Sequence, residues 1–294
     1  MGIFLLLEAN IGNVMFDNGT GDLWYASCVA RELAPQIRAA GHSVIEVESP
    51  SPEAANTSIE RYKPNVVWWV GHGSTDATTL ENVALWIKAP SYNVDVLNGT
   101  IACAESCQTG AYLGKFLVEQ RGCLAYLGYR SNYSFLWCGS RTPCQCSGEN
   151  PWGVRPDVWS AIVRSTHDAT FHFVIGLARG MNVKQAFDFS LKRFDYWINY
   201  LSSIPPADDY ESAVIRTAIW ILSSNRDIQV LYAKDVGIVV PGVSIHPLLS
   251  SAALGALTYL VALPMTGSNT ASATLGALAT GVSIYRYLRR RSVA

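Results

Sequence analysis

Two rhythms of apolar positions alternate along the first half of the chain. Short runs with little polar interruption, "IFLLLEA" (Ile3–Ala9), "SVIEVES" (Ser43–Ser49), "VVWWV" (Val66–Val70), "TIACAES" (Thr100–Ser106) and "CLAYLGY" (Cys123–Tyr129), predict five strands. Between them the apolar residues fall at steps of three and four. Ala26, Ala30, Leu33, Ile37 and Ala40 make one face of a helix over Asp22–Ala40, which Gly41 stops. Further helices are predicted in the Pro-rich stretch 50–64, at Leu80–Lys88 and over Thr109–Gly122. Strands this apolar, separated by helices, imply an α/β fold with a mainly parallel sheet covered on both faces.

The rhythm then changes. Val183, Phe187, Leu191, Phe194, Ile198 and Leu201 keep helical spacing, Ala213–Leu222 forms another helical stretch, and "IQVLYA" (Ile228–Ala233) looks like a late strand returning to the sheet. These patterns divide a domain over 1–235 into a sheet core (1–135) and a mainly helical part (136–235). The tail, 236–294, differs from both. From Val236 to Tyr285 the only titratable residue with a charge to gain near neutrality is His246. "VSIHPLLSSAALGALTYLVALPM" (Val243–Met265) has the ~20 apolar residues a bilayer crossing needs. "TASATLGALATGVSIY", ending at Tyr285, is shorter and richer in Ser and Thr. The pair predicts a transmembrane helical hairpin, with membrane contact over 243–288. Arg286, Arg289, Arg290 and Arg291 would hold the C-terminus, and with it the main domain, on the cytoplasmic side.

Composition supports this outline. Of 294 residues 49% are hydrophobic and only 15% charged, against ~25% in ordinary soluble domains. A net charge of −1 argues against a nucleic-acid surface. Seven cysteines, an odd number and several within apolar runs, suggest a reducing compartment and mostly buried free thiols. "MGIFLLLEAN" lacks a basic segment and is interrupted by Glu8, so it is expected to be a first strand and not a signal peptide.

The candidate chemistry sits at two strand ends. "NVVWWVGHGST" places His72 between Gly71 and Gly73 just after the third strand, and "NGTIACAESCQTGAYLG" places Cys107 just after the fourth. Reacting groups in an open parallel sheet collect beyond the carboxyl ends of its strands. There an imidazole can activate a thiol. The glycines allow a sharp turn and close substrate approach. The amides of Gly73 and Cys107 are candidate oxyanion donors, and a helix starting at Thr109–Gly110 would favour a thiolate.

In their order and strand context, "VVWWVGHGS" and "TIACAESCQTGAYLGKFLVEQRGCLAYLGY" resemble the caspase–gingipain–legumain–separase clan of cysteine endopeptidases, the second box being most similar to gingipain-like members. The resemblance covers about residues 1–135 in strand order. It implies a caspase-like three-layer sandwich, His72 as base, Cys107 as nucleophile, Gly73 and Cys107 as oxyanion donors, a polypeptide substrate and no cofactor or metal. Caspases carry Gln-Ala-Cys where this chain has Glu105-Ser106-Cys107, which argues against a caspase proper. Glu8 is either an S1-pocket acid favouring a basic P1 residue or a solvated strand terminus.

Other readings compete. Cys138, Cys144 and Cys146 in "WCGSRTPCQCSG" invite zinc, although the spacing fits no common motif. Cys28, Cys103 and Cys123 read as core residues, Trp68 and Trp69 as sheet packing, and His167 and His172 as core or helix-end residues. The alternatives to a membrane-tethered protease are a catalytically inactive interaction or sensor module of the same fold and a ligand-binding open sheet.

Overall fold

The computed structural model describes residues 1–8, 23–80, 84–136 and 152–242. Its strands are β1 (Ile3–Glu8), β2 (Ser43–Glu48), β3 (Val66–Val70), β4 (Ala77–Thr79), β5 (Leu85–Lys88), β6 (Ile101–Glu105), β7 (Ala125–Tyr129) and β8 (Gln229–Ala233). Its helices are α1 (Leu23–Ala39), α2 (Pro52–Tyr62), α3 (Leu113–Gln120), α4 (Pro156–Ala178), α5 (Val183–Ser203) and α6 (Asp209–Ile228). Six strands make one sheet in the order β2-β1-β3-β6-β7-β8, parallel throughout except for the antiparallel edge pair β7–β8. The late strand thus returns to the sheet, as expected.

Every residue of β3, β6 and β7 is buried, because helices or the β4–β5 hairpin cover both faces. Phe4, Leu6, Trp68, Cys103 and Leu127 face α1 and α4. Leu5, Leu7, Trp69, Ala104 and Tyr126 face α2, α3 and the hairpin. The result is three layers. The helical spacing in α1 is explained by the first face, where Ala26, Ala30, Leu33 and Ile37 are all buried. A third apolar cluster, including Trp159, Ile162, Phe194, Trp197 and Leu222, joins α4 to α5 and α6.

Local chemistry sets several boundaries. Ser51 caps α2, accepting from the Ala54 amide at 3.1 Å, with Pro52 in the first turn, where no amide is needed. Asn182 and Gln185 form a reciprocal capping box on α5. The segment predicted as a helix at Leu80–Lys88 instead contributes β5, which pairs antiparallel with β4 and buries Trp86 against Trp69 at 5.1 Å between ring centroids. The hairpin predicted over 243–288, the remainder of the tail, and Cys138, Cys144 and Cys146 lie outside the described residues. Among the described residues no helix is long and apolar enough to cross a membrane.

Candidate active site

The two strand ends are neighbours. β3 pairs with β6 in a register that sets Val70 opposite Glu105, and the Gly71 amide continues the ladder to the Glu105 carbonyl at 3.3 Å. His72 and Cys107 each follow that last pair by two residues. The backbones then close on one another. A β-carbon at Gly73 would lie 2.3 Å from the Cys107 carbonyl oxygen and 2.4 Å from the Ser106 hydroxyl, so only glycine fits. His72 is pinned from the other side by β4: its amide donates to Thr79 Oγ1 at 3.1 Å, and its carbonyl accepts from the Thr79 amide at 2.9 Å. Gly71 serves that contact, since a β-carbon there would meet the Thr79 carbonyl oxygen at 2.1 Å. The hairpin mistaken for a helix in the sequence is therefore what fixes the histidine. If this site is catalytic, Gly73→Ala is expected to push the two turns apart by about 1 Å and to lower its turnover about 100-fold, with only a modest change in melting temperature. Steady-state kinetics beside thermal unfolding checks it.

Cys107 lies in a turn and not at a helix start. The chain turns through Ser106–Tyr112 before α3 begins at Leu113, so the predicted helix field on the thiol is absent. Gln108 adopts a left-handed φ of 57°, which a non-glycine residue holds only when its surroundings demand it. The demand comes from the segment after β7. The Gln108 amide donates to the Ser131 carbonyl at 2.9 Å, its side-chain amide to Asn132 Oδ1 at 2.8 Å, and Cys107 Sγ lies 3.6 Å from the Tyr133 carbonyl oxygen, which takes the S–H.

Burial decides the charge state. It holds the half-buried Cys107 thiol above its ordinary value and His72 below its ordinary value. The resting pair is a neutral thiol and a neutral imidazole, not the thiolate expected from sequence. Such an imidazole is a competent proton acceptor. The Gly73–Thr78 bridge is closed by Ser74 donating to Ala77 and Thr79 donating to His72, which turns the Gly73 amide away from β4. Among the described residues no backbone carbonyl takes the amide hydrogen of Gly73 or of Cys107.

Glu8 is fully buried at the end of β1 and ion-paired to Arg31 of α1, which bridges on to Glu48 at 2.8 Å. It is not a solvated terminus, and its carboxylate is already engaged. Desolvation, with smaller contributions from Glu46 and Glu48, outweighs Arg31 and pushes it up to about 7. A native carboxyl that keeps its proton above its ordinary 4.5 binds more protons than the unfolded chain, so this group's stability falls as pH rises between those limits. The loss is on the order of 3 kcal/mol. Glu8→Gln abolishes that slope, so its melting temperature should gain on the parent's between pH 5 and pH 8.

A polar cluster that the sequence did not disclose lies directly behind Cys107. Glu105, buried on β6, accepts from the Tyr133 hydroxyl at 2.7 Å and is paired with His167 Nδ1 of α4. Cys103 and Cys123 are free and buried, as their apolar context predicts. Cys28 departs from that reading: it is only partly buried and is disulfide-bonded. Trp68 and Trp69 are fully buried in the sheet, and His172 donates to the Asp168 carbonyl one turn back at 2.7 Å. Among the described residues no group of three or more potential ligands is placed to hold a metal. No family model and no curated protein matches this chain.

Proposed function

We propose that the chain is a cysteine endopeptidase of the caspase–gingipain type, tethered to a membrane through residues 243–288 with its catalytic domain on the cytoplasmic side. The observation that carries the catalytic reading is the meeting of the His72 and Cys107 turns at matched positions beyond adjacent parallel strands. As a peptide carbonyl approaches, His72 takes the Cys107 proton while Sγ bonds to the carbonyl carbon. The resulting oxyanion is received by the Gly73 and Cys107 amides. Collapse expels the amine, which takes the proton from His72 and leaves a thioester. Water attacks the thioester with His72 again as base, releasing the acid and restoring the thiol. Neutral resting partners suit this sequence, since the proton moves only when substrate is present.

The test is hydrolysis of a mixed-sequence peptide library by the full chain in detergent or liposomes, followed by mass spectrometry. Cleavage with trapping of a substrate-derived acyl group on Cys107 supports the reading. No cleavage, together with no reaction of Cys107 towards a peptide acyloxymethyl ketone, sinks it in favour of a non-catalytic module of the same fold.

A further inference from the structure

Buried ionisable groups are costly unless they are paired and hydrogen-bonded. The layer between the sheet and α4 is otherwise built from Trp68, Cys103 and Leu127 of the sheet and Phe171 of α4, yet it encloses Glu105, His167 and the Tyr133 hydroxyl, each less than a tenth exposed. Apolar residues of similar size would fill that space at lower cost. One carboxylate oxygen, Glu105 Oε2, is buried with no hydrogen-bond partner among the described residues. Stability alone does not account for the cluster.

Its connectivity does. Tyr133 makes two polar contacts with the reacting strand end. Its hydroxyl donates to Glu105 at 2.7 Å, and its backbone carbonyl takes the S–H of Cys107 at 3.6 Å. Glu105 and Cys107 are two residues apart on one strand end, so the contacts close a ring: β6, Cys107, Tyr133, Glu105 and back to β6. His167 of α4 holds the same carboxylate oxygen from below, its ring lying 5.2 Å from that of Phe135. The Tyr133 ring packs on Tyr129 at 4.5 Å, and the next residue, Ser134, is clamped by Asn225, whose Oδ1 accepts from the Ser134 amide at 3.1 Å. The carbonyl facing the thiol is thus fixed on both sides.

We propose that Tyr133 is a positioning residue for Cys107, its backbone carbonyl aimed by the bond from its hydroxyl to the buried Glu105–His167 pair. This rests on Cys107 being the nucleophile. The carbonyl sets the resting direction of the S–H, from which the thiol turns to His72 when substrate arrives. A loosened Tyr133 leaves the thiol freer but worse aimed. Unguided alkylation then speeds up while turnover slows, two opposite changes that general destabilisation does not produce.

The experiment compares Tyr133→Phe with Tyr129→Phe in the full chain. Tyr129 loses an equally buried hydroxyl, bonded to Thr170 at 2.6 Å and to Gln229 at 3.1 Å, and it makes no bond to Glu105. Expected for Tyr133→Phe are a fall in kcat of about 10-fold, KM within about twofold, and iodoacetamide alkylation of Cys107 at pH 8 about fivefold faster. Tyr129→Phe should leave all three within about twofold. Glu105→Gln, which weakens the Tyr133 bond without deleting it, should move kcat and alkylation in the same directions by less. Equal behaviour of the two tyrosine variants, or alkylation and turnover falling together, overturns the proposal. If the parent chain neither cleaves peptide nor reacts with the acyloxymethyl ketone, the protease reading fails on its own, and the alkylation comparison still decides whether Tyr133 positions the thiol.

Discussion

Cys107→Ala is expected to abolish peptide hydrolysis, and His72→Ala to lower kcat/KM by at least about 1,000-fold. On the proposed mechanism the two losses should not add, because it places both residues in one proton transfer. The pH dependence separates a general-base pair from a preformed thiolate–imidazolium pair. Burial lowers His72 from 6.5 and raises Cys107 from 9.0. Activity through the neutral pair requires the imidazole unprotonated and the thiol still carrying its proton. The acid limb of kcat/KM should then fall below pH 6.5 and the alkaline limb above pH 9.0, giving a wide plateau between. In His72→Ala no base remains, so the residual rate should climb with pH toward the thiol's own ionisation, without the limb that the imidazole gives below pH 6.5. Initial rates from pH 5 to pH 10 on the parent and His72→Ala check both. A narrow optimum, or an acid limb that survives in His72→Ala, would sink the general-base reading.

That the two turns follow buried strands was legible in the sequence for a physical reason. A long apolar run followed at once by glycines and a single polar residue is what a buried parallel strand looks like at its end, and both signals are local. The central strands were legible on the same ground, since β3, β6 and β7 have no exposed face and hence no polar interruption. What failed was non-local. "LWIK" is too short for periodicity to separate helix from strand. Its state is decided by β4, whose "ATT" carries almost no apolar signal. The helix expected at Thr109 begins at Leu113, because Ser131, Asn132 and Tyr133 hold Cys107 and Gln108 in a turn that continues with the Gly110 amide donating to the Tyr129 carbonyl at 2.9 Å. Glu105 gave no warning either. An acid at a strand end usually reaches water, and its imidazole partner is 62 residues away on a helix that reads as plain core. The same holds for Cys28, where an apolar helix face hid a disulfide.

Asp168→Ala should be among the most destabilising single changes in the described domain, by about 3–5 kcal/mol. Asp168 is fully buried in α4, where one carboxylate oxygen accepts from Arg193 Nε at 2.5 Å and from Trp197 Nε1 at 2.7 Å, both on α5. The other lies 3.9 Å from Arg164 and 3.6 Å from His172 on its own helix. Removing it leaves an indole N–H and a mostly buried guanidinium without their acceptor in the packed seam between two long helices. At about 2–4 °C per kcal/mol for a domain of this size, the melting temperature should drop by roughly 10 °C. Asp168→Asn keeps an acceptor for Trp197 and should cost less. Arg193→Met in the parent strands the carboxylate instead, yet the same change in Asp168→Ala removes an already unpartnered cation. The double variant should therefore be more stable than the sum of the single losses predicts, by about 1–3 kcal/mol. Additive losses in a denaturant-unfolding cycle would mean that Asp168 holds the α4–α5 seam through Trp197 alone, with Arg193 held by its stacking on Tyr196 at 4.4 Å.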